Sequence, residues 1–120
     1  MMNETILTIA DTDLGSRHAA AKFRALVEKR TFADGKLVVD LGAVLSISES
    51  YADELFGVLV ARYGLKWFVE HIAIRAAGPA VFHVIATAIR SRLEAKTPGN
   101  PDLALLAARK ALQDRQRSAA

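Results

Sequence analysis

Residues 37–57, LVVDLGAVLSISESYADELFG, constrain the chain more than any other stretch, because one hydrophobic period gives way to another within them. Leu37, Val39 and Leu41 alternate with Lys36, Val38 and Asp40 at the two-residue period of a strand, and Gly42 breaks the pattern. Ala52, Leu55, Phe56, Leu59, Val60 and Tyr63 then recur at helical spacing and define one apolar face. The stretch therefore reads as a buried strand that turns through a polar elbow straight into an amphipathic helix. Ser50 stands at the junction, where its hydroxyl is placed to accept from the amide of Ala52 or Asp53 as a helix cap. Asp53 and Glu54 add negative charge near the positive end of the helix dipole. The elbow is the candidate functional surface.

The rest of the chain repeats this strand-then-helix grammar. Residues 5–10, TILTIA, form a first strand with Leu7 and Ile9 toward the core, ended by the turn-rich Asp11, Thr12, Asp13 and Gly15. Ser16 caps a helix whose apolar stripe is Ala19, Phe23, Leu26 and Val27, with Lys22, Arg24, Glu28 and Lys29 toward water, and residues 31–35 form the polar turn after it. The second helix stops near Tyr63 and Gly64, and Trp67 to Val69 lead into a third strand over residues 71–76. Gly78 and Pro79 open a third helix, proline being favoured where its missing amide costs nothing, and Val81 or Phe82, Ile85, Ala88, Ile89 and Leu93 supply its buried stripe. Residues 96–100, KTPGN, read as a linker before a last amphipathic helix over residues 101–117 with a basic tail. The expected organisation is one domain over residues 1–96 and an appendage over residues 97–120.

Strands alternating with helices imply right-handed crossovers and an α/β fold, with a small sheet of three to four strands, parallel or with one mixed pairing. Each strand has one clean apolar face and one mixed face, carrying Thr8, then Asp40, then His71 and Arg75. Helices are therefore expected mainly on one side of the sheet, since doubly covered strands read as continuous apolar runs.

At 120 residues the chain can bury one core, and 52% hydrophobic against 24% charged residues is the balance of a folded globule. With no cysteine there is neither a disulfide nor a thiolate nucleophile, and three scattered histidines do not make a metal site. Asp53, Glu54 and Glu49 are better placed as helix-dipole complements than as magnesium ligands. The 16 basic and 13 acidic residues are intermixed, and the late excess at Arg109, Lys110, Arg115 and Arg117 lacks interleaved aromatics, so no nucleic-acid partner is expected. The amino-terminal residues MMNETILTIA do not resemble a signal peptide and no apolar run spans a membrane, which makes a cytoplasmic location the expectation. Asp40, His71 and Arg75 read as a charge cluster on the mixed sheet face, His83 as solvent-facing, and Trp67 and Phe68 as core. No glycine-rich phosphate loop or dinucleotide fingerprint is present, and no cofactor is expected.

The strand ending in Asp40-Leu41, the link Val44-x-x-Ile47-Ser48 and the run Ser50-Tyr51-Ala52-Asp53-Glu54-Leu55-Phe56-Gly57 resemble the STAS-like domains of unknown function, relatives of bacterial anti-sigma factor antagonists. The likeness covers about residues 14–93, beginning at Leu14, Gly15, Ser16 and Arg17. It implies one-sided βα winding and a non-enzymatic regulatory domain whose partner is a histidine-kinase-like ATPase. By that resemblance Ser50 matches the serine that a partner kinase phosphorylates; the chain's own reading of it is a helix cap. The antagonists carry Asp-Ser-Ser-Gly-Leu where this chain has Ser48, Glu49, Ser50, Tyr51 and Ala52, and Glu49, Asp53 and Glu54 would repel an added phosphate. Ser48, Glu49, Ser50, Tyr51, Asp53 and Glu54 are the expected docking residues, with Tyr51 as an exposed aromatic, and the mixed sheet face is open to solvent, covered by the carboxyl-terminal helix or used in a homodimer. The competing reading is a small enzyme or small-molecule-binding domain using the carboxyl ends of the strands.

Overall fold

The computed structural model describes residues 5–96, 106 and 108–113. Its centre is a parallel sheet of β1 (Thr5–Thr8), β3 (Leu37–Asp40) and β5 (Ile72–Arg75), hydrogen-bonded in that order. Strand order follows chain order, so successive right-handed crossovers place their helices on the same side. In the register, Thr5, Leu37 and Ile72 form one row on the core face and Leu7, Val39 and Ile74 the next. The opposite face carries Ile6, Val38 and Ala73, then Thr8, Asp40 and Arg75.

Helix α1 (Arg17–Asp34) starts where Ser16 Oγ accepts from the Ala19 amide at 3.2 Å. It stops at Gly35, whose φ of 90° suits a residue without Cβ and lets its N–H donate to the Thr31 carbonyl at 2.7 Å. Residues 31–34 are therefore helical rather than a turn. The buried stripe of α1 is Ala20, Val27 and Thr31, rotated from the one expected: Ala19 and Leu26 are exposed, whereas Arg24 and Glu28 point inward.

The helix after the elbow runs over residues 49–63 as α2 (Glu49–Ala52), a π-helical segment (Asp53–Gly57) and α3 (Val58–Tyr63). Ala52, Leu55, Phe56, Leu59 and Val60 are buried, as their spacing implies. Gly64, with φ 92°, ends this helix, and the apolar piece after it is helical: α4 (Leu65–His71). His71 thus belongs to a helix end, not to the sheet face; its ring stacks on Trp67 at 4.8 Å, and its Nδ1 lies 2.8 Å from the Trp67 carbonyl oxygen. Phe68 is core and Trp67 is partly buried. Helix α5 (Pro79–Lys96) buries Val81, Phe82, Ile85, Ala88 and Ile89 on the expected side.

A second parallel ladder pairs β2 (Asp13–Leu14) with β4 (Ser46–Ile47), two residues each. No sequence period announces it, because two residues carry none. It ties the elbow to the segment before α1: Leu45 and Ser46 amides donate to the Thr12 carbonyl at 2.7 and 3.1 Å, and the Ser48 amide to the Leu14 carbonyl at 2.8 Å. Most of residues 101–117, expected as a helix, lies outside the described residues. Of those described, Ala108 and Leu112 are fully buried in the main apolar cluster.

Candidate functional site

The elbow is organised by Ser48. Its backbone is extended, and its Oγ accepts from the Tyr51 amide at 3.0 Å while donating to the Gly15 carbonyl at 2.9 Å. Ser48, not Ser50, is therefore the helix cap. Counting back from the first apolar residue misplaces the cap by two positions, because Tyr51 itself turns inward and already belongs to the helix. Tyr51 is only 4% exposed, so it is a core residue and not a surface aromatic. Burial raises the pKa of its hydroxyl, with the Asp11 charge adding to the effect.

Glu49 and Ser50 remain exposed in the first turn. They line a groove of about 450 Å³ between this turn and α5, together with Arg17, Asp53, Arg90 and Ser91. Beneath the groove lies a charge network that sequence reading assigned only in half. Asp53 receives two bonds from Arg92, at 2.7 and 2.8 Å, and a third from Arg17 at 3.1 Å. Glu54 is paired with Arg24 and takes a bond from Arg17 at 2.9 Å. Arg24 also reaches the Glu54 backbone carbonyl at 2.7 Å, and Glu28 extends the network to Arg62 and the Tyr63 hydroxyl at 3.0 and 2.6 Å. Bonds from Arg92 hold Asp53 below its usual carboxylate pKa, and bonds from Arg24 do the same for Glu54. The two carboxylates therefore tie three helices together, and complementing the helix dipole is secondary. A signal for this existed: Arg24 sits one helical turn from both Ala20 and Val27, and a charge on a core-facing stripe requires a partner.

Gly57 makes the network possible. A Cβ there would lie 2.6 Å from Asp53 Oδ1 and 3.2 Å from Arg92 Cγ. The π-helical segment that begins at Asp53 has the Val58 amide bonded to the Asp53 carbonyl, five residues back.

The other expected constellation is present in part. Asp40 accepts from Arg75 across the second sheet face at 2.9 and 3.2 Å and from the Gly42 amide at 2.8 Å, and the latter bond chiefly lowers its pKa. His71 does not join it, and His83 is exposed. Among the described residues no group of histidine, aspartate and glutamate side chains has the arrangement of a metal site.

A one-sided parallel βαβαβα domain, with a capped elbow leading into its second helix, is the architecture of the STAS-like class. The chain belongs to the STAS-like domain of unknown function family (DUF4325), whose family model matches residues 19–82. That span runs from the first turn of α1 to the first turn of α5; it includes Arg24, Asp53, Glu54 and Gly57 but neither Arg17 nor Arg92. Comparison with curated proteins and with solved structures returned no match.

Proposed function

We propose that this STAS-like domain is a non-enzymatic regulatory module of the cytoplasm. On this reading its elbow docks a histidine-kinase-like ATPase of the anti-sigma type. The supporting observation is the pairing of exposed Glu49 and Ser50 with a polar groove on a frame that cannot shift easily: Ser48 pins the turn to Gly15, and Arg24 and Arg92 lock the next turn to α1 and α5. Preorganised polar groups lose little freedom on binding, which favours a docking role. Among the described residues no helix is long and apolar enough to cross a membrane.

Ser50 is exposed and caps nothing, so its substitution tests docking without loss of fold. In a titration against the purified ATPase encoded in the same genome, Ser50→Asp places a third negative charge beside Glu49 and Asp53 and should weaken the complex about tenfold. Glu49→Lys should change affinity by a similar factor, with unfolding midpoints near wild type. Equal affinity for wild type and both variants rejects the elbow as the docking surface.

A further inference from the structure

A second depression, of about 130 Å³, lies between Leu45 and Ile47 on one side and Ala80, Val81 and Val84 of α5 on the other. Val84 borders both depressions, which adjoin there and follow one another along α5 from Ala80 to Ser91, the larger groove at the Ser91 end. The twelve residues from Ala80 to Ser91 rise about 16 Å, or three turns. The chemistry changes along that length. At the Ala80 end the Leu45 side chain stands 75% exposed although its neighbours Val44 and Ile47 are buried. A large apolar side chain presented beside a depression is the kind of anchor on which binding energy concentrates.

At the Ser91 end the groove offers two guanidinium groups with capacity to spare. Arg17 is half-exposed and bonds Asp53 and Glu54, but each of those carboxylates already has its own arginine, Arg92 and Arg24. It can turn to an incoming anion without leaving a buried acid unpaired. Arg90 holds Glu94 at 3.2 Å in a partly exposed pair one turn along α5, a weak contact that an incoming carboxylate can displace. Glu49 and Asp53 also border this end; Asp53 is covered by Arg92, and Glu49 stands at the solvent rim. β4 pairs with β2 on one side and packs against α5, and its Ser46 and Ile47 line the wall of the depression with Leu45.

We infer that the groove takes an amphipathic helix of about three turns from a partner protein, with an apolar side chain against Leu45 and Val84 and a carboxylate reaching Arg17 and Arg90. The inference rests on the docking reading above and specifies the chemistry that the partner must carry. It is tested without the ATPase, by selecting a displayed library of helical peptides of about fourteen residues on the immobilised full chain. Enriched peptides should carry aspartate or glutamate about two turns from leucine, methionine or phenylalanine. They should bind Leu45→Ser and Arg17→Gln about tenfold more weakly than wild type and Arg62→Gln equally well. Leu45 and Arg17 are exposed, and thermal melts of both variants verify the fold. Peptides that bind all four proteins alike, a basic consensus, or no enrichment over the bare support would each overturn the inference. Such a failure with Ser50→Asp still weakening the ATPase complex removes the helix and leaves docking; selected peptides with an indifferent ATPase remove that partner and leave the groove.

Discussion

At the residue scale, the helix cap lies at Ser48 and not at Ser50, where the apolar spacing puts it. Ser48 holds a helix amide and the Gly15 carbonyl at once, whereas Ser50 holds neither. Ser48→Ala should therefore cost about 0.5–2 kcal/mol, and Ser50→Ala only a few tenths, in chemical denaturation. A larger loss at Ser50 would place the cap where the hydrophobic spacing put it. Asp53 carries a second residue-scale consequence. Its folded pKa lies below the usual value near 4, through bonds from Arg92 and Arg17, so it contributes stability that is present above that value and lost as pH falls through the folded one. Glu54 behaves likewise through Arg24 and Arg17. The thermal midpoint should fall on acidification below about pH 5, and Asp53→Asn should flatten that dependence while lowering the midpoint at neutral pH. An unchanged slope would show that the network carries no linkage.

At the element scale, the helix over residues 49–63 shows how local and tertiary demands meet. Its apolar positions satisfy the 3.6-residue period and are buried as that period requires, so its existence and facing were legible from Leu55, Phe56 and Leu59. The π-helical segment was not, because what stands over Asp53–Gly57 is Arg92 from α5, 39 residues away in the chain from Asp53. Gly57→Ala puts a methyl into the space of the Asp53 carboxylate and should cost about 1–3 kcal/mol, with a smaller penalty in the Asp53→Ala background if the clash is the cause. Equal penalties in both backgrounds would assign the effect to helix packing instead. Helix α1 makes the same point from the other side: Arg24 and Glu28 read as solvent residues until Glu54, Arg62 and Tyr63 are brought against them.

At the scale of the whole molecule, the described part of the carboxyl-terminal helix enters the core through Ala108 and Leu112. Leu112→Ala should lower stability by about 2–4 kcal/mol, measured by denaturant unfolding of the full chain, and a neutral result would mark the segment as an appendage. The sequence by itself determined the three main strands, the one-sided winding and the core of the second and third expected helices, because periods of two and 3.6 residues are local properties of the chain. It also singled out the elbow, through the abrupt change of period beside a run of hydroxyl and acidic residues. Tertiary structure alone decided which serine caps, that Tyr51 is buried, and that Asp53 and Glu54 are claimed by three arginines. It likewise decided the pairing of Asp13–Leu14 with Ser46–Ile47. The capping bond itself spans three residues and follows from Tyr51 turning into the core, whereas the others depend on groups tens of residues apart meeting in space, and contacts of that kind leave no periodic trace in the chain that makes them.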